Sequence, residues 1–214
     1  MNAHTETQII QGPAGDLELA IDRPTVPRAQ GGVAVIAHPH PLFGGTLNNK
    51  VVQTLARAHV QQGWVSVRFN FRGVGQSQGT YDEGRGEADD MLAVVQALAP
   101  SGPLALCGFS FGAFVTAQVA VALQAHRPLQ ALTLVGTAAS RFQVPALPEE
   151  LHERTLVVHG EQDDTVVLSA VMDWARPQLL PVTVIPGVEH FFHGRLPLLK
   201  SLAMRHLQAM ASFS

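Results

Sequence analysis

Short apolar runs alternate with longer segments of helical period along almost the whole chain, and this alternation constrains the fold more than any single motif. Residues 33–37, 64–71, 104–107, 129–135, 155–159 and 182–185 are apolar runs of strand length. Between them lie helix-period segments. One begins at about Leu47, with Val51, Leu55 and Ala58 following at steps of four, four and three. Another spans about 86–98, with Ala88, Met91, Val95 and Leu98 on one side. Further helices are expected over 111–125, around Trp174 and over 196–210. Strands separated by helices pair in parallel, because a parallel neighbour needs a crossover long enough to return the chain. Residues 8–11 and 17–21 should instead form an antiparallel hairpin at the sheet edge, ended by Pro24 and Pro27.

The expected architecture is therefore α/β, a mostly parallel sheet flanked by helices. A chain of 214 residues, 46% of them hydrophobic, suits one domain over 1–214 with a sizeable core. No repeat, low-complexity tract or linker divides it. About fifteen residues, 141–155, separate the sixth and seventh strands, which leaves room for a loop or one short helix and no lid domain. A site on this sheet should be open.

Gly108-Phe109-Ser110-Phe111-Gly112 falls where a strand should end and a helix begin. In that context G-x-S-x-G reads as a nucleophile elbow: a sharp, strained turn that lifts the serine hydroxyl above the sheet. Side chains two residues before and after should collide across the turn, which favours glycine at both places. The amino end of the following helix favours developing negative charge.

A neutral hydroxyl needs a base to take its proton, and the base needs an acid to orient it. On this architecture the acid and then the histidine follow the serine in the chain, at carboxyl ends of strands. The run 155–159 leads into Gly160-Glu161-Gln162-Asp163-Asp164, and 182–185 leads into Pro186-Gly187-Val188-Glu189-His190. The G-x-x-D spacing selects Asp163 over Asp164, and His190 precedes the last helix where His193 lies a turn later. Glu161 and Glu189 are weaker acid candidates. The oxyanion of an acyl transfer needs backbone donors. One should be Phe111, next to the nucleophile. The other should come from His38-Pro39-His40-Pro41-Leu42, where prolines cannot donate; His40 is preferred, then Leu42.

His38-x-His40 has no obvious third ligand, so a metal site is not expected. The one cysteine, Cys107, precedes the elbow inside a strand and reads as a small core residue. With fourteen basic against seventeen acidic residues and no basic stripe, the chain points away from nucleic acid. It has no apolar run of about 18 residues to cross a membrane. The amino-terminal MNAHTETQII lacks the pattern of a secretory signal, which fits a cytoplasmic location.

The stretches AHPHPLFGGTLNNKVV, RFNFRGVGQSQG, GEADD, CGFSFGA, HGEQDDTVV and PGVEHFFHG are spread over most of the chain. Through them it resembles the α/β-hydrolase superfamily, and within it a group of short, lidless bacterial serine hydrolases of esterase type. The resemblance implies an eight-stranded, mostly parallel sheet with helices on both faces. It implies a triad of Ser110, Asp163 and His190, and hydrolysis of a small-molecule carboxylic ester with no metal or organic cofactor. The dienelactone hydrolases are similar but carry cysteine where this chain has Ser110. The RFNFRGVGQSQG loop is expected to support the oxyanion loop. An acyltransferase, or a non-catalytic binding protein on the same fold, is the alternative reading.

Overall fold

Each apolar run becomes a strand, and the intervening amphipathic segments become the helices that cover them. The computed structural model describes residues 5–27 and 31–211; residues 1–4, the start of MNAHTETQII, lie outside the described residues. The strands are β1 (Glu6–Gly12), β2 (Gly15–Asp22), β3 (Val33–Ala37), β4 (Val65–Phe69), β5 (Leu104–Phe109), β6 (Ala131–Val135), β7 (Thr155–Gly160) and β8 (Val182–Ile185). They form one sheet in the order β1-β2-β4-β3-β5-β6-β7-β8. β1 and β2 make an antiparallel hairpin, and β2 joins β4 antiparallel; all other pairs are parallel. The expected edge hairpin and the eight-stranded, mostly parallel sheet are both present.

Helices α1 (Lys50–Gln61), α2 (Arg85–Leu98), α3 (Phe111–Leu123), α4 (Leu168–Ala175) and α5 (Leu196–Met210) complete the layers. Val51 and Leu55 of α1 and Leu199 and Ala203 of α5 pack with Ile36, Cys107 and Val158 on one face. Met91 of α2, Val115 of α3 and Val171 of α4 share a core with Val35, Leu106 and Leu134 on the other. The α3 segment FGAFVTAQVAVAL is apolar almost all round and is correspondingly buried, as a helix central to the sheet must be.

Several boundaries move for local reasons. The first helix starts at Lys50, not Leu47, because the Asn49 side chain accepts the Val51 N–H at 2.9 Å and caps it. Leu47 lies before the cap, with its N–H donated to Asn70 Oδ1 at 2.8 Å. The fourth strand ends at Phe69. Beyond it the Asn70 N–H still goes to the Glu18 backbone carbonyl of β2, but the Phe71 N–H goes to the His38 side chain at Nε2, so the backbone ladder stops there. The link between β6 and β7 holds only a short 3₁₀ segment, Glu149–Arg154, within the space expected for a loop or one short helix.

The Arg72–Gly79 loop is held from two sides. Glu18 Oε2 accepts from Asn70 Nδ2 at 2.7 Å and from the Gln76 N–H at 2.8 Å. The Arg72 guanidinium and backbone N–H all donate to the fully buried Asp90 carboxylate, at 2.8–3.0 Å. This accounts for GEADD. A Cβ at Gly86 would overlap the Arg72 guanidinium, Glu87 accepts the Gly84 N–H at 2.8 Å, and Asp90 supplies the carboxylate. Removing one partner of a buried pair leaves the other charge uncompensated. Asp90→Ala should therefore lower stability by about 3 kcal/mol in a denaturant titration. An unchanged midpoint would show that Arg72 finds water or another acceptor instead.

Candidate active site

A single residue, Ser110, stands between β5 and α3. Its φ of 59° and ψ of −117° are costly for a residue with a Cβ, about 1–3 kcal/mol. The strain is held in place on both sides. Ser110 N–H donates to Val135 O at 2.8 Å, and Ser110 O accepts the Ala113 N–H at 3.0 Å, starting the helix. The two glycines are required for different reasons. A Cβ at Gly108 would overlap the Gly112 carbonyl across the turn, as the sequence suggests. A Cβ at Gly112 would lie 2.5 Å from the carbonyl oxygens of Ala37 and His38, so this glycine lets α3 pack against the end of β3.

The loops after β7 and β8 bring Asp163 and His190 to the same place. His190 Nε2 is 3.0 Å from Ser110 Oγ, and His190 Nδ1 is 2.6 Å from Asp163 Oδ2. An ionised carboxylate only accepts, so Nδ1 carries the proton and donates to it. Nε2 is then the acceptor for the serine hydroxyl. The imidazole is 1% exposed, with Phe109 at 4.9 Å and Phe191 at 5.0 Å between ring centroids. Asp163 Oδ1 is fixed separately by the N–H groups of Thr165 at 3.0 Å and Val166 at 2.7 Å.

The competing residues are engaged elsewhere. Asp164 is exposed and accepts only the Thr165 hydroxyl, at 3.4 Å. His193 is exposed and bonds Glu189 at 2.6 Å. Glu161 accepts the Gly187 N–H at 2.8 Å. His159 Nε2 lies 3.5 Å from Asp163 Oδ2, but its proton goes to Val166 O at 2.9 Å. Burial holds its pKa below the usual histidine value, so the approach is not an ion pair at neutral pH.

Among the described residues no acceptor takes the N–H of Phe111 or of His40. The Leu42 N–H donates to His40 Nδ1 at 3.3 Å, opening the 3₁₀ turn Pro41–Phe43. Of the two loop donors considered, His40 is the one left open. Its ring then carries hydrogen on Nε2, which donates to the Tyr81 hydroxyl oxygen at 3.2 Å. The same ring packs on Phe43, Tyr81 and Phe111 at 4.7–5.0 Å.

A cavity of about 460 Å³ opens over Ser110, walled by His40, Phe43, Phe111, Phe142 and Val166. Of Phe43, Phe109, Phe111, Phe191 and Phe192, only Phe43 and Phe111 line it. Phe109 and Phe191 pack around His190, and Phe192 is core. Phe142, stacked on Phe114 at 4.7 Å, and Tyr81 belong to no recognisable motif. Only the folded chain brings them to the cavity and its rim.

His38 and His40 are not a ligand pair. His38 donates from Nδ1 to Pro39 O at 2.6 Å and accepts the Phe71 N–H on Nε2 at 3.1 Å, tying the loop after β3 to RFNFRGVGQSQG. Cys107 is buried, and burial pushes its thiol up to about 12, so it is a core residue rather than a thiolate. No helix among the described residues is long and apolar enough to cross a membrane.

The family described as X-Pro dipeptidyl-peptidase (S15 family) matches residues 16–149. A solved Xanthomonas campestris protein, described as an α/β serine hydrolase without lid, is 35% identical, with a TM-score of 0.86. The match covers 98% of this chain and 96% of that one. An α/β serine hydrolase homologue from Coxiella burnetii is 42% identical, with a TM-score of 0.80, over 94% of this chain and 97% of that one. An uncharacterized protein of Rickettsia prowazekii is 42% identical over 112 residues, half of this chain. The match spans 46% of that relative's length.

Burial lowers the pKa of His38 and of His59 to about 4. In an unfolded chain both would titrate near about 6.5. Below that value the unfolded state binds more protons than the folded one, so stability falls with falling pH. Stability should therefore decline between about pH 6.5 and 4 in denaturant titrations, and replacing His59 with a neutral residue should flatten the decline. An equally steep decline in the His59 variant would place its origin elsewhere.

Proposed function

This chain belongs to the X-Pro dipeptidyl-peptidase (S15) family and has the fold of lidless bacterial α/β serine hydrolases, and from that premise we propose that it cleaves a carboxylic ester through an acyl-enzyme on Ser110. The observation that carries the proposal is the unbroken chain from Ser110 Oγ through the His190 imidazole to the Asp163 carboxylate. Ser110 Oγ attacks the ester carbonyl carbon while its proton passes to His190 Nε2. The carbonyl oxygen, now an oxyanion, accepts the free N–H groups of Phe111 and His40. His190 returns the proton to the departing alkoxide oxygen, leaving Ser110 acylated. Water then attacks the acyl carbon by the same route in reverse and regenerates the serine. Asp163 holds the Nδ1–H tautomer and balances the transient imidazolium.

The family's description raises a second reading, a peptidase that removes an X-Pro dipeptide. Such an enzyme must hold a free ammonium group, which needs a carboxylate or several carbonyls when taken out of water. The cavity over Ser110 has no acidic residue in its lining, and its one formally charged lining residue is Arg141. This favours the ester. A short 4-nitrophenyl ester should be turned over and glycyl-prolyl 4-nitroanilide should not; the opposite result would favour the peptidase. Ser110→Ala should lower kcat by about 10⁶-fold. It should also abolish labelling by a fluorophosphonate. Labelling of the variant, or retained turnover, would remove Ser110 from the mechanism. Added acceptor alcohols, with product analysis, separate acyl transfer from hydrolysis.

A further inference from the structure

We infer that the ester carries an anionic group, and that Arg141 is the residue that selects it; the inference names the substrate class of the site proposed above and rests on that reading. Arg141 lines the same cavity as Ser110, Phe111 and Phe142. Its place is fixed by the chain: its N–H and that of Phe142 both donate to Ala138 O, at 3.1 and 3.0 Å. Its side chain is exposed. The guanidiniums of Arg68 and Arg72 are bonded to Asp22 and Asp90. The Arg141 guanidinium has no hydrogen-bond or ion-pair partner among the described residues. Asp164 adjoins the lining residue Thr165 but makes no ion pair with Arg141. The remaining walls are mostly apolar or aromatic. An apolar wall leaves a charge less screened than open water does, and a guanidinium offers a carboxylate two parallel donors. The chain's net charge of −3 gives no general attraction for an anion, so preference for one must come from this local group.

The test compares substrates matched in size. On the acyl side these are the 4-nitrophenyl monoester of adipic acid and 4-nitrophenyl hexanoate. On the alcohol side they are 4-acetoxybenzoate and its methyl ester. In at least one pair the wild-type protein should favour the anion in kcat/KM. Arg141→Gln should reduce that preference about fivefold, chiefly through KM. Turnover of the neutral partner should fall by less than turnover of the anion. Arg205→Gln removes the same charge from the exposed face of α5 and should leave the preference intact. A preference for the neutral ester in both pairs, or one equally lost in both variants, overturns the inference. A readout independent of turnover is calorimetric binding of monomethyl adipate to Ser110→Ala protein. Binding should weaken when Arg141→Gln is added, and equal binding overturns the inference. If that binding depends on Arg141 while no ester is hydrolysed through Ser110, the ester reading fails and the anion site stands.

Discussion

The site is built on one tight crossing, where β5 turns into α3 with Ser110 as the only residue between them. The turn holds a serine at a backbone conformation that serine disfavours. It can do so because the residues on both sides are immobilised in the centre of the sheet. β5 is paired with β3 on one edge and β6 on the other, and all six of its residues are buried. α3 is pressed against the end of β3 closely enough that Gly112 admits no side chain. That same close approach sets the loop that leaves β3 at His38, beside the helix start that carries Phe111. Ser110 and both proposed donors are thus fixed by one packing event.

Asp163 and His190 are fixed differently. They sit on loops, yet both are buried and tied to the backbone around them. The Gly160 backbone has no room for a side chain because the Val188 carbonyl lies against it, so the two loops are in direct contact. Gln162 N–H donates to Val188 O at 2.9 Å, and Glu161 N–H to Ile185 O at 3.0 Å. Parallel pairing of β7 and β8 is continued as loop-to-loop bonding, which delivers the carboxylate and the imidazole in register.

The fold was legible because its strands announce themselves as apolar runs and its helices as period-3.6 segments. The order of Ser110, Asp163 and His190 at strand ends was legible for the same reason: strand ends are where a parallel sheet gathers its loops. Boundaries were less so. Leu47 fits the apolar face of α1 by spacing, but the cap at Asn49 starts the helix later, and Leu47 is buried by an independent bond to Asn70. Tyr81 and Phe142 were invisible because what places them is tertiary packing around the His40 ring. The His38-x-His40 spacing carries no sign of its use either, since the partners of both rings come partly from other parts of the chain.

The histidines show why residue type alone decides little. His38, His59 and His159 are buried and His206 is half-buried; all four have a lowered pKa, and each bonds a backbone carbonyl. A neutral ring bound to a carbonyl costs little to bury and has no reason to take a proton, so it serves as a spacer with a defined orientation. His190 is as buried as the first three, but its two nitrogens face a carboxylate and a hydroxyl. A proton arriving on Nε2 is met by the carboxylate across the ring, and the hydroxyl is the group positioned to supply it. Loss of water is common to all five rings, four of them buried and His206 half-buried. What sets His190 apart is an acid on one nitrogen and a strained serine on the other.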